Sequence, residues 1–221
     1  FHIVFFPFYP ICIRALNFLT GNSFVSAMLV SSLCAIAAAI LMYELAALDY
    51  ERETALRAVK FLFLTPAAFF FAAPMTESLF LLCSLACVYL VRKKHYLWGC
   101  LFGALAAFTR SVGVLLLAFV FVERLYGLLR ARRMETLPTE KNTLIRQGLC
   151  MLLVPLGLAA YVAINYAVTG DPLKFMQYQR EHWSQGFGLF FETAAYQTEY
   201  ALSTAVEGNL RQLFGLWLPN L

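Results

Sequence analysis

Apolar positions fall into a series of long runs separated by short charged or polar stretches. The first run, Phe24 to Leu48, is long enough to cross a hydrocarbon core of about 30 Å. Asp49 to Arg57 is a charged connector, and Ala58 to Ala73 is apolar until Pro74 interrupts it. Thr76 restarts a predicted helix that runs to Val91 and closes on Arg92, Lys93 and Lys94. A further run, Leu97 to Phe108, meets Thr109-Arg110-Ser111-Val112-Gly113 and continues to Val122. A basic connector follows from Glu123 to Arg146, then a span from Gly148 to Val168. Gly170 to Phe187 is polar and aromatic, and Gly188 to Leu221 is mixed. The pattern predicts an all-α, polytopic membrane protein with short and broken helices, read as one transmembrane domain over residues 1–221.

Composition agrees. Hydrophobic residues make up 61% and charged residues 14%, where a soluble domain carries about 25% charge. The net charge of +4 says little by its sign, but the basic residues are clustered. Arg52, Arg57 and Lys60 form one group, and Arg92, Lys93 and Lys94 a second. Arg124, Arg130, Arg132, Arg133, Lys141 and Arg146 form a third, so that 12 of the 17 Lys and Arg lie in three clusters. The positive-inside rule places all three on the cytoplasmic side. The chain must then turn back between clusters, at Ala72 to Ser78 and at Thr109 to Gly113. The N-terminal aromatic segment and Gly170 to Phe187 are delivered to the same outer side. Four polar or aromatic tips are expected to share one face. Twelve helical residues reach only about 18 Å, so the tips are expected below the outer surface, in a protein-lined or water-filled recess.

Arg110 is the most informative residue at these tips. It has apolar sequence on both sides, and an arginine at membrane depth costs on the order of 3 kcal/mol on insertion scales. Such a residue is held by an anionic partner or a water-filled cavity. One reading is a structural pair with Glu77; the other is a site in which the Arg110 guanidinium and free backbone N–H groups at a helix break near Ser111 and Gly113 meet a phosphate. Thr76 is a natural N-cap with Glu77 in the first turn, and Glu77 equally suits orienting Arg110 or bonding a sugar hydroxyl. Phe5-Phe6-Pro7-Phe8-Tyr9-Pro10 reads from composition as an interfacial aromatic belt, with a sugar or lipid pocket as the alternative. Arg14 follows it and suits snorkelling to headgroups or meeting a lipid phosphate. Asp171, ahead of Pro172, is either a helix cap or part of a headgroup site with Lys174, Gln177, Gln179, Arg180, His182 and Trp183. The six cysteines lie in apolar runs without metal-ligand spacing and read as small buried hydrophobes. Neither a metal nor a cofactor is expected, nor is a nucleic-acid partner.

These residues carry a resemblance. Pro66-Ala67, Thr76-Glu77-Ser78-Leu79-Phe80 and Thr109-Arg110-Ser111-Val112-Gly113 resemble the class V family of GPI mannosyltransferases, which adds the second mannose during GPI-anchor assembly and has bacterial relatives. The aromatic-proline segment Phe5–Pro10 is similar to a segment of that family, and Gly170-Asp171-Pro172 with Phe175, Gln179 and Trp183 resembles its later outer loop. The resemblance implies a GT-C glycosyltransferase with a helical bundle whose tips meet on the outer face. It implies an inverting transfer of a mannose-type sugar from a polyprenyl- or dolichyl-phosphate donor. The acceptor is lipid-linked or at the cell surface, and the compartment is a bacterial plasma membrane or the endoplasmic reticulum. Arg110, Glu77, Ser111, Thr109, Thr76, Asp171, Gln179 and Trp183 become the expected substrate-binding residues. The resemblance also implies an acidic catalytic base in an outer loop upstream of Phe1. Separately, the start at Phe1 rather than Met and the stop at Leu221 inside an apolar run lead to the expectation that the chain is incomplete at both ends. Val112 stands where the family usually has Asn or another residue before Gly. Two other readings of the chain are a secondary transporter and a non-catalytic membrane subunit of a glycosylation complex.

Overall fold

A computed structural model describes residues 4–133, 141–183 and 190–214, and among these every regular element is helical. The chain forms two units, Phe1–Lys174 and Phe175–Leu221. The first opens with α1 (Phe8–Thr20) and α2 (Ser23–Ala46). Gly21, with φ at 66°, ends α1, and the Asn22 side chain accepts from the amides of Phe24 and Val25 to start α2. The two helices therefore fold back on each other across a two-residue turn. Then come α3 (Arg52–Leu64), the short α4 (Phe69–Ala72), α5 (Glu77–Arg92) and α6 (Tyr96–Ala107). α7 (Leu116–Arg133), α8 (Lys141–Met151) and α9 (Leu153–Thr169) complete the unit. In the second unit are α10 (Lys174–Trp183, entering from the boundary) and α11 (Phe190–Val206), followed by one turn at Leu210–Gln212 whose start is capped by the Asn209 side chain.

Among the described residues, three stretches are long and apolar enough to cross a membrane: Ser23–Ala46, Ser111–Arg130 and Ile145–Thr169. This is an integral membrane protein with an all-α, polytopic architecture. The six cysteines are free thiols, and all but the half-buried Cys12 are buried, as expected of small hydrophobes.

Three boundaries differ from the sequence reading. The charged connector after Leu48 is mostly helix: α3 starts at Arg52, with Glu53 in its first turn and an Arg57–Glu53 pair one turn apart. The following break comes at Thr65, which is extended with ψ at 146°, because Pro66 excludes the helical conformation from the residue before it. The run after the Thr109–Gly113 tip does not stop at Val122. It continues as helix to Arg133, since Glu123, Arg124 and Arg130 interrupt the apolar surface without breaking the backbone pattern. That arm is thus long enough to cross by itself, while the twelve-residue α6 remains short as expected.

Small residues let the inner helices approach closely. A Cβ on Gly157 of α9 would stand 1.9 Å from the Ala104 carbonyl oxygen of α6. The two helices pack parallel there, which sets Tyr161 of α9 near the level of Phe108. At the other end, the connectors are tied together. Arg92 bonds both oxygens of Asp49 at 2.5 and 2.8 Å, and Lys94 meets Glu123 at 3.2 Å. The segment after α2, the α5–α6 turn and Glu123 of α7 therefore meet at one end of the bundle, and the Arg110 tip lies at the other end of α6.

Candidate active site at the helix tips

The tip end is assembled by a chain of polar and aromatic contacts. Tyr9, at the start of α1, is buried; its hydroxyl donates to the Ala27 carbonyl at 3.1 Å and lies 2.8 Å from the Ser31 hydroxyl. Ser31 reaches the Met75 carbonyl at 3.3 Å, and the Ser78 hydroxyl donates to the Phe71 carbonyl at 2.7 Å. The loop before α5 is thereby fastened to α1, α2 and α4. Phe8 lies against Phe108 with ring centroids 6.2 Å apart, and Phe6 stacks on Tyr161 at 3.9 Å. The Tyr161 hydroxyl donates to the Val4 carbonyl at 3.3 Å. The aromatic-proline segment is therefore packed into the tips rather than spread as an interfacial belt. Its pattern hid this because Tyr9 finds polar partners on α2 that make its burial affordable.

These contacts fix a depth. Ser31 lies about two turns inside α2, or roughly 12 Å from its start, and Tyr161 lies about the same distance before the end of α9. The tips of α5 and α6 sit at that level, so α2 and α9 rise past them on two sides.

At this level stands Arg110. Its backbone is extended, and Gly113 folds the chain back over the end of α6. A Cβ at Gly113 would lie 2.4 Å from the Ala107 nitrogen, so only glycine permits this reversal. The Arg110 side chain donates from Nη1 to Glu77 Oε1 at 2.6 Å, and its guanidinium carbon lies 5.9 Å from the centre of the Phe80 ring. The guanidinium is 43% exposed and the Glu77 side chain 29%. Glu77 Oε2 is shut from solvent and has no hydrogen-bond partner among the described residues. A buried acceptor in that state costs free energy until a donor reaches it.

The other expected site residues separate. Thr109 is buried, and its hydroxyl donates to the Leu105 carbonyl at 2.7 Å, one turn back on the same helix. Ser111 is exposed beside Arg110, and Thr76 is half-buried beside Glu77. Thr76 occupies the N-cap position without making a side-chain cap bond. Asp171 forms a local turn after Gly170, accepting from the Leu173 amide at 2.9 Å; no described hydrogen bond or ion pair joins it to Arg110 or Glu77. Gln179 is half-buried in the second unit. Trp183 ends α10, and its side chain lies outside the described residues.

Residues 8–169 match the family described as mannosyltransferase (PIG-V). The chain belongs to that family. It is thus a membrane mannosyltransferase, a glycosyltransferase that takes a sugar from a donor to a membrane acceptor. No curated protein and no solved structure matches the chain significantly. The PIG-V match takes in Tyr9, Thr76, Glu77 and Thr109 to Ser111, and it ends before Gly170-Asp171-Pro172.

Three PIG-V site features escaped the sequence reading. Phe80, one turn after Glu77, carries the guanidinium on its ring. Ser31 looks like one more small residue in an apolar run, yet it joins Tyr9 to the Glu77 loop. Asn165 is fully buried within α9; its amide donates to the Tyr161 carbonyl at 3.0 Å while Oδ1 lacks a partner among the described residues. A lone amide inside an apolar span was a legible signal, because buried polar groups at membrane depth default to function.

Proposed function

We propose that this protein moves a mannose-type sugar from a polyprenyl- or dolichyl-phosphate donor to a lipid-linked or cell-surface acceptor, on the outer or lumenal face, with inversion. The membrane is a bacterial plasma membrane, or the endoplasmic reticulum in a eukaryote, with the basic end toward the cytoplasm. The observation that carries this reading is the Arg110–Glu77 pair, held below the ends of α2 and α9 with its guanidinium still partly open.

The acceptor hydroxyl oxygen attacks the anomeric carbon, and the bond from that carbon to the phosphate oxygen breaks. The electron pair leaves on the phosphate, and the hydroxyl proton passes to a carboxylate base. Negative charge thus develops on the phosphate, where a positioned guanidinium stabilises it far better at low dielectric than in water. Arg110 takes that role. Glu77 holds Arg110 through Oε1 and offers Oε2 to a sugar hydroxyl, with the hydroxyls of Ser111 and Thr76 beside them. The Thr109 hydroxyl shapes the tip, bonded as it is to Leu105. The base is the acidic outer-loop residue that the resemblance implies, and Asp171, Gln179 and Trp183 are kept as substrate-binding residues on that resemblance. A GT-C enzyme is the class this reading implies.

The test is transfer from radiolabelled polyprenyl-phosphate mannose by membranes containing the full-length protein, against Arg110→Ala at equal abundance. Loss of one such electrostatic donor lowers the rate by about 10²- to 10³-fold. Undiminished transfer in the variant removes Arg110 from the donor site. Absence of transfer in the parent, with other sugar donors also tried, favours the non-catalytic subunit.

A further inference from the structure

A well-formed cavity lies away from the tips. It has a volume of about 320 Å³ and lies at the basic end, between the α5–α6 turn and the α8–α9 arm. Lys94, His95, Trp98, Arg146 and Gln147 are among its walls, and no acidic residue is. We propose that this cavity binds the phosphate headgroup of an anionic membrane lipid.

Lys94 is the first support. Its φ is 66°, and among the described residues it is the one non-glycine residue with a positive φ. The turn closes with the Lys94 amide on the Val91 carbonyl at 2.9 Å and the His95 amide on the Leu90 carbonyl at 2.8 Å. Such a helix end ordinarily carries glycine at this position. A lysine there is strained relative to glycine, and it brings an ammonium to the cavity wall. Its Nζ is held 3.2 Å from Glu123, which lies outside the cavity lining.

The first turn of α6 is the second. It opens onto the cavity, and the N-cap residue His95 makes no side-chain cap bond, so the leading amides of α6 add positive potential to the two cations. Arg146 stands opposite on α8 and is exposed.

The surroundings select a lipid as the source of the phosphate. Leu97 and Trp98 of the lining, and Ile145, Leu149 and Leu152 on the arm that carries Arg146, are each more than half exposed, an apolar surface suited to acyl chains. Tryptophan beside basic residues at a span's end is the composition of a membrane interface. A phosphodiester seated between Lys94 and Arg146 keeps its chains along these apolar residues. Cationic recesses between helix ends recognise anionic headgroups in this way. The site stands apart from the sugar-transfer site, whichever donor serves there.

Native mass spectrometry of the full-length protein in detergent tests the proposal. The probes are phosphatidylglycerol, phosphatidylcholine and inorganic phosphate, and the variants are Lys94→Gly and Arg146→Gln. The expected result is selective retention of phosphatidylglycerol over phosphatidylcholine, weakened about fivefold by each substitution, the weight of one basic residue at an anionic lipid surface. Lys94→Gly suits the left-handed backbone, so its thermal midpoint should equal or exceed the parent's while lipid is lost. That separates lost binding from lost fold. Equal retention of both lipids overturns the proposal, as does undiminished phosphatidylglycerol retention in both variants. Full displacement of the lipid by millimolar inorganic phosphate makes this a site for free phosphate instead.

Discussion

The two ends of the bundle use the same chemical device for opposite purposes. At the basic end, Arg92–Asp49 and Lys94–Glu123 tie connectors together at the ends of the helices, with side chains about as exposed as those of the tip pair. At the tips, Arg110–Glu77 is a single contact from one guanidinium nitrogen, set roughly 12 Å inside the ends of two long helices. A pair at the ends of spanning helices can be screened by water and adds little stability, whereas a charge at membrane depth is expensive and persists where it does something. The fork of Arg92 is matched to both oxygens of Asp49, and Glu77 keeps one buried oxygen unbonded. The Arg92–Asp49 fastening is fully matched, and the Arg110–Glu77 pair at the site is not.

Changes at the tip level should show the largest effects. Gly157→Ala drives a methyl group into the Ala104 carbonyl, and the α6–α9 contact that sets the height of Tyr161 must open. Overpacking of this kind costs about 3 kcal/mol, read as a lower unfolding midpoint in detergent. Gly127→Ala on α7 is the control: nothing stands within 4 Å of its Cβ, and helix propensity makes the change stabilising by up to about 1 kcal/mol. Equal midpoints for the two variants would contradict the close α6–α9 approach.

Glu77→Gln should come next. It keeps the shape and an acceptor for Arg110 but removes the charge. A charge-assisted bond of this kind, discounted for the exposure of both partners, is worth about 1 kcal/mol. Transfer should fall by roughly tenfold or less through that loosening, with the protein still folded. A variant as active as the parent would leave Glu77 as a helix-start residue alone.

The smallest effect belongs to the basic end. The hydrogen bonds from Arg92 hold the Asp49 carboxyl below its ordinary range. Its folded value is then lower than its unfolded one, so its contribution is complete above the unfolded value near pH 4 and is lost as pH falls through the folded value. Asp49→Asn should therefore narrow the drop in thermal midpoint between pH 7 and pH 3 while leaving transfer at neutral pH intact. An unchanged acid profile would show that the Asp49 fastening carries no folding energy.

Much of the fold was legible because lipid imposes simple demands. The unbroken run of α2, the twelve residues of α6 and the span ending at Thr169 followed from length and hydrophobicity. The Arg110–Glu77 pair was legible because a deep arginine needs an anion and one carboxylate stood on the neighbouring tip. What escaped depends on three-dimensional partners. Tyr9 reads as one more aromatic until α2 supplies Ser31 and the Ala27 carbonyl. The helical start at Arg52 sits in a stretch whose charges look like a connector, and the break at Thr65 comes from a proline inside an apolar run. The cavity beside Lys94 was invisible because a left-handed lysine and the approach of Arg146 are tertiary facts. The matched family ends at Thr169, so the expected roles of Asp171, Gln179 and Trp183 rest on the resemblance alone.

The most direct test of the central claim is a double-mutant cycle on mannose transfer, using kcat/KM for the parent, Arg110→Ala, Glu77→Gln and the double variant. If Glu77 acts chiefly by holding Arg110 against the leaving phosphate, the double variant should lie much closer to Arg110→Ala alone than to the product of the two losses. If the two losses multiply, the residues act independently; if Arg110→Ala transfers at the parent's rate, the tips are not the site of transfer.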